Sequence, residues 1–144
     1  PHRGHKFDLL EGGIRVPAII SWPGKISGGE SRDQFATGCD WFPTIAELTD
    51  TKLPTRKIDG KSLANVIQSK NATSQHGVFC WESGGQNAVR KGNWKLYVDR
   101  KRNEFLYDIA NDPGETSDLK DKQSDVFADL KNELAKWKSE LSSE

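Results

Sequence analysis

Four cationic or titratable side chains fall within the first six residues: His2, Arg3, His5 and Lys6. Glycine at position 4 interrupts them, and Lys6 stands five residues ahead of the triplet Glu11-Gly12-Gly13. An ammonium beside a guanidinium and imidazoles suits an anionic group such as phosphate, sulfate or carboxylate, which accepts charge-assisted hydrogen bonds from all of them. The same residues also read as a solvated basic loop. Glu11-Gly12-Gly13 reads as a turn where the backbone either passes close to another segment or takes a positive φ. A third group, Trp81 and Glu82 with Gly84-Gly85, can line a pocket, and Trp81 equally suits a core. The sequence has no Ser-His-Asp order, no glycine-rich phosphate loop and no His/Asp metal cluster.

These residues need a scaffold, and composition bounds it. The chain of 144 residues fits one average domain or two small ones. Charged residues make up 29% and hydrophobic ones 34%, which is polar, yet five tryptophans and six phenylalanines argue for a packed core over disorder. Acidic and basic residues balance at 21 each, so no surplus of positive charge points to a nucleic-acid partner. The cluster Arg100-Lys101-Arg102 reads as a solvated hairpin tip. Cys39 and Cys80 lack the Cys-x-x-Cys spacing of a zinc site, and both read as buried free thiols. No apolar run reaches the length of a membrane span. The chain opens on Pro1, within a motif, and reads as a fragment of a longer protein.

Residues 1 to 13 read as a loop. Val16 to Trp22 is a short apolar run closed by Pro23-Gly24, which predicts a buried strand whose sheet neighbours this chain does not supply. From Ser31 the apolar residues Phe35, Cys39, Phe42, Ile45, Ala46 and Leu48 recur at helical spacing. Pro43 suits the first turn of a new helix, with Asp40 as its N-cap. Ser62 to Ile67 predicts a short helix. In the second half, His76–Trp81, Ala88–Arg90, Trp94–Val98 and Glu104–Asp108 read as strands, the middle two forming a hairpin around Lys91-Gly92-Asn93. Alternation of Trp94, Leu96 and Val98 with Lys95, Tyr97 and Asp99 predicts one packed and one wet face. After the turn Asn111-Asp112-Pro113-Gly114, a helix from Ser124 to Leu141 carries Phe127, Leu130, Leu134, Trp137 and Leu141 as a narrow stripe that covers the sheet or forms a dimer seam. The fold class predicted is α+β. A small antiparallel sheet of about four strands is packed by a C-terminal helix, and a strand and helices from a larger α/β domain precede it. The expected division is 1–70 and 71–144.

Several ordered motifs carry a resemblance. Arg3-Gly4-His5-Lys6, then Glu11-Gly12-Gly13-Ile14-Arg15-Val16-Pro17 and Trp22-Pro23-Gly24, resemble a segment of type I sulfatases, the arylsulfatase-like enzymes of the alkaline phosphatase superfamily. Asp40 with Phe42-Pro43-Thr44 resembles the family's Asp-x-x-Pro-Thr helix, and Asp59-Gly60-Lys61-Ser62-Leu63 its Asp-Gly-x-Ser-Leu. Arg90 to Leu96 resembles its Arg-x-Gly-x-Trp-Lys-Leu hairpin. Leu106-Tyr107-Asp108, Asp112-Pro113, Glu115 and Leu119 resemble its Leu-Tyr-Asp to Asp-Pro-x-Glu stretch.

The resemblance implies the end of a catalytic domain over 1–70 and a small C-terminal subdomain over 71–144. It implies that Lys6 binds the sulfate oxygens of a substrate, with Arg3 and His5 beside the leaving group and Glu11, Gly12 and Gly13 shaping the turn. The parent enzyme would hydrolyse sulfate esters of small molecules or glycans with a formylglycine nucleophile and a calcium ion. That nucleophile arises in a Cys/Ser-x-Pro-x-Arg motif, which neither Cys39 nor Cys80 belongs to, and the calcium motifs are also missing. The fragment therefore carries no catalytic nucleophile and no metal site, and alone is expected to be inactive. An extracellular, periplasmic or lysosomal parent follows from the family only. The alternatives are a phosphodiesterase or phosphonate hydrolase of the same superfamily, and a non-catalytic binding module. The unpartnered strand Val16 to Trp22 also leaves room for a homodimer of the fragment.

Overall fold

A computed structural model describes residues 2–142. The chain packs as two compact units, residues 2–17 with 78–142, and Ala18–Gly77. The first is built on an antiparallel meander of β1 (Val78–Ser83), β2 (Gln86–Lys91), β3 (Trp94–Val98) and β4 (Glu104–Asp108) in sequential order. Glycine sets two of its turns. Gly84 and Gly85 take φ of +54° and +79° between β1 and β2, and Gly92 takes +60° between β2 and β3, values that splay side-chain-bearing residues but match the strand twist of tight hairpins. Asp99 closes the third turn by accepting the N–H groups of Lys101 and Asn103, each at 2.8 Å.

Register sorts the side chains onto two faces. Cys80, Val89, Leu96 and Leu106 align across all four strands on one face. Helix α4 (Ser124–Leu141) covers it, placing Leu130 in the core with Phe127 and Leu134 packed beside it. The apolar stripe thus covers the sheet, as its narrow spacing allows. Lys91 ties the helix down through Asp129 at 2.7 Å and Glu133 at 2.9 Å. The N-cap of α4 is Gln123, and no side chain caps it.

The opposite face is not wet. Ala88, Tyr97 and Tyr107 on that face pack against Leu9, Leu10 and Ile14, so the N-terminal segment forms a second cover. Alternation along β3 marks two distinct faces correctly, but a polar residue in the pattern is not an exposed one. Lys95 is wholly buried because two carboxylates from outside the sheet meet it.

The second unit holds a one-turn 3₁₀ segment (Gly38–Asp40) that runs into α2 (Trp41–Leu48), and α3 (Ala64–Gln68). Residues 31–37 are not helical, contrary to the apolar spacing there. Their side chains reach other backbone instead: Arg32 Nε donates to Val66 O at 2.8 Å, and Gln34 Nε2 to Lys70 O and Ala72 O at 2.7 Å each. Asp40 closes a capping box with Thr37 rather than capping α2 through its side chain. Cys39 is exposed and not buried; Cys80 is half-buried, and both are free thiols. Burial, then the charges of Glu133 and Glu140, push the Cys80 thiol up to about 11, which makes it inert. Val16 to Trp22 forms no strand. Val16 is 76% and Ile19 92% exposed, since no strand among the described residues offers this segment a partner.

Two of the sequence motifs dock on each other. Asp40 Oδ1 accepts the Lys61 N–H at 2.8 Å, and Thr44 Oγ1 accepts the Leu63 N–H at 2.8 Å. Gly60 passes so close that a Cβ there would lie 2.1 Å from the Cys39 carbonyl oxygen. His76 Nε2 donates to Asp40 Oδ1 at 2.7 Å. Burial raises the Asp40 carboxyl, but the N–H groups of Lys61 and Thr37 and the His76 ring together hold it below its ordinary value. A depressed folded value contributes stability above the unfolded pKa, near pH 4, and loses it as pH falls through the lower folded value. Asp40→Asn should therefore be less stable at neutral pH and should show a shallower stability loss below about pH 4. Urea titrations from neutral to acid pH check this; parallel stability curves for the two proteins would contradict it.

Candidate functional site

The cationic residues lie on a loop held at several points against the sheet. Gly4 takes φ +87° and Phe7 φ +77°, a strained value for a bulky side chain that needs outside support. That support is visible. The Phe7 carbonyl accepts Gln86 Nε2 at 2.9 Å and Arg100 NH2 at 3.2 Å. Gln86 is itself buried, its Oε1 accepting the Tyr97 hydroxyl at 2.7 Å. Upstream, Arg3 NH1 donates to Glu115 O at 2.9 Å and lies 3.3 Å from the Tyr107 hydroxyl. His2 Nδ1 is 2.9 Å from Pro113 O.

Downstream the loop ends in α1 (Glu11–Ile14), a single turn. Its glycines serve close approach and not positive φ. A Cβ on Gly12 would lie 2.5 Å from the carbonyl oxygens of Arg3 and Gly4, and one on Gly13 2.1 Å from that of Asp8. Glu11 is 3% exposed. Its Oε1 accepts Lys95 Nζ at 2.8 Å, and its N–H donates to Glu115 Oε2 at 2.7 Å. Lys95 Nζ also lies 2.8 Å from Glu115 Oε1, as an ion pair without the alignment of a hydrogen bond.

Between these anchors the sequence-predicted residues take different places. Lys6 is exposed, with Nζ 5.0 Å from the centre of the Phe7 ring, and no carboxylate among the described residues pairs with it. His5 is exposed, and its Nδ1 lies 2.6 Å from Asp8 Oδ2. Burial raises the Asp8 carboxyl, yet the His5 N–H, the His5 ring and Arg100 at 3.3 Å bring it below its ordinary value. Arg3, though exposed, turns its guanidinium onto the Glu115 carbonyl and the Tyr107 hydroxyl. The loop thus offers one ammonium without an acidic partner among the described residues, on a backbone held at Phe7. Trp81 packs against the N-terminal core cluster, with its ring 4.8 Å from that of Phe79. Sequence reasoning missed Lys95, Gln86 and Tyr97 as supports. Lys95 and Tyr97 sat on the β3 face opposite Leu96, and Lys95 in the hairpin motif as well, whereas Gln86 lay outside the predicted strand and carried no signal.

Comparison with known proteins adds to this geometry. Residues 5–140 match the family model described as N-sulphoglucosamine sulphohydrolase, C-terminal. The chain belongs to this family. An uncharacterized sulfatase of Schizosaccharomyces pombe is 35% identical over 95% of the chain and 26% of its own length. Human steryl-sulfatase is 40% identical over 62% of the chain and 16% of its own length. The crystal structure of Ps i-CgsB shares the fold, with a TM-score of 0.84 at 24% identity, over 95% of this chain and 32% of that one. This sulphohydrolase C-terminal domain therefore spans about a quarter of the length of the first curated relatives it matches. The clamped loop carries the first of the motifs that resemble type I sulfatases, the unit Ala18–Gly77 those at Asp40 and Asp59, and β2 to β4 with the segment after them the rest.

Proposed function

We propose that the chain is the C-terminal part of a sulfuric ester hydrolase, in which Lys6 binds the sulfate oxygens of the substrate. The observation that carries this reading is the exposed Lys6 ammonium, without an acidic partner among the described residues, on a loop anchored upstream through Arg3 and downstream at Phe7 and at the buried Glu11–Lys95 pair. A sulfate ester keeps negative charge on its oxygens throughout S–O cleavage. A cation held in place before the reaction stabilises that charge without having to reorganise. His5, braced by Asp8, is the group of this loop left to face the rest of the substrate, and Arg3 serves the loop itself. The substrate is a sulfated small molecule or glycan, and the parent works where its relatives do, outside the cell, in the periplasm or in the lysosome.

The residues present do not make a calcium cage. Among the described residues no three His, Cys, Asp or Glu side chains converge on one point. Asp40 spends its oxygens on Thr37, Lys61 and His76, and Glu11 and Glu115 spend theirs on Lys95. Accordingly, the 144-residue chain by itself should release no sulfate from an aryl sulfate. The full-length parent should release it, and should do so faster than it cleaves an aryl phosphonate monoester. Turnover by the isolated chain contradicts the first expectation. Preference for the phosphonate contradicts the second and points to phosphoryl chemistry on the same scaffold.

A further inference from the structure

We propose that Lys95 and Glu115 are positioning residues for the substrate-binding loop, acting through Glu11 on Lys6. This rests on the reading of Lys6 given above. Lys95 is the second residue of β3, and its neighbours across the sheet are Arg90 and Tyr107. Its Nζ lies between two carboxylates, Glu11 Oε1 and Glu115 Oε1, each 2.8 Å away, and neither Lys95 nor Glu115 is exposed at all. Glu115 takes φ +53°, an unfavourable value for a residue with a side chain, while aiming its carboxylate at both Lys95 and the Glu11 N–H.

An ion cluster this deep is a poor device for stability alone, since apolar side chains of similar volume serve as well. What it gives is register. Glu11 is the first residue of α1, and its carboxylate and N–H are both engaged, by two different elements. Sliding the loop by one residue would leave a carboxylate or an ammonium buried without a partner. The loop from Phe7 to Glu11 is thereby held at both ends, at Phe7 by Gln86 and Arg100 and at Glu11 by Lys95 and Glu115. Lys6 stands next to the first of these points. The sheet of the C-terminal subdomain, remote in sequence from Lys6, thus determines where its ammonium sits.

The test is a double-mutant cycle in the full-length parent, reading kcat/KM for an aryl sulfate. Lys95→Met and Glu115→Gln are each made alone and together with Lys6→Ala. Alone, each should lower kcat/KM by about 10- to 100-fold, because a displacement of about 1 Å at a reacting group has effects of that size. In the Lys6→Ala background each should change it by less than about 2-fold, since the loop has no ammonium left to aim. Near-ultraviolet circular dichroism verifies folding, and if Lys95→Met does not fold, Glu115→Gln decides. Equal losses in both backgrounds overturn the proposal, as does wild-type turnover by a folded variant. If Lys6→Ala itself turns over as wild type does, the Lys6 reading fails and the positioning role with it. That outcome is distinct from an essential Lys6 with additive losses.

Discussion

Lys95→Met should lower the stability of the sheet-bearing unit by about 3–5 kcal/mol, the range observed when one member of a buried ion pair is removed. Methionine fills much of the same volume and suits an apolar site beside Tyr107. The cost comes from what remains. Glu11 is 3% exposed and Glu115 not at all, so two carboxylates would face each other away from water with no cation between them. They can regain water only if the N-terminal segment lifts from the sheet, which exposes Leu9 and Leu10 as well. A further variant tests the cause. Lys95→Met combined with Glu11→Gln and Glu115→Gln leaves no buried charge and should recover a substantial part of the loss. Urea denaturation of each variant measures this. A loss under about 1 kcal/mol for Lys95→Met would mean that the cluster is not energetically buried.

Gly13→Ala is the second large effect, and it is steric. A Cβ at this position would stand 2.1 Å from the Asp8 carbonyl oxygen and 2.6 Å from that of His5. Both obstacles are backbone, so no side-chain rotation relieves them. Within a helical turn, alanine would ordinarily gain up to about 1 kcal/mol over glycine. Here the clash outweighs that gain, and the net loss should be about 2–3 kcal/mol, at the upper end for overpacking. Gly28→Ala is the matched control, because nothing lies within 4 Å of a Cβ there. Equal denaturation midpoints for the two variants would show that the loop accommodates the methyl group and is not clamped. The same variant in the parent should lose turnover, since forcing the Asp8 and His5 carbonyls away displaces the segment that carries Lys6.

These two sites show what could be read from residue order and what could not. The β2–β3 hairpin was legible because Gly92 sits where a tight turn needs it and the flanking alternation has period two. Helix α4 was legible from its stripe, down to both ends. Gly12 and Gly13 were legible as special, although close approach and positive φ could be told apart only once the carbonyls of Arg3, Gly4 and Asp8 were in place. Lys95 was misread. A lysine in an alternating strand reads as solvent-facing by pattern, and only the return of the chain's first residues over the sheet, more than 80 positions away in sequence, turns it inward. Val16 to Trp22 fails for the converse reason. Its composition is that of a buried strand, but a ladder needs a partner, and the meander is complete without it. Residues 31–37 show a third kind of miss, where side-chain bonds from Arg32 and Gln34 to distant carbonyls win over helical spacing. Around the loop, Glu11, Gly12 and Gly13 were legible as a turn, whereas the inward place of Lys95 was not, because a buried cation is defined by what surrounds it.

The central claim is that Lys6 holds the substrate sulfate, and its most direct test is sulfate release by the full-length parent, wild type against Lys6→Ala, at saturating aryl sulfate. The account predicts a drop in kcat of about 100-fold or more, with the thermal transition unchanged, the scale of losing one preorganised charge-stabilising donor. Unchanged kcat in a folded Lys6→Ala enzyme would contradict it and leave the segment from His2 to Lys6 as a solvated basic loop.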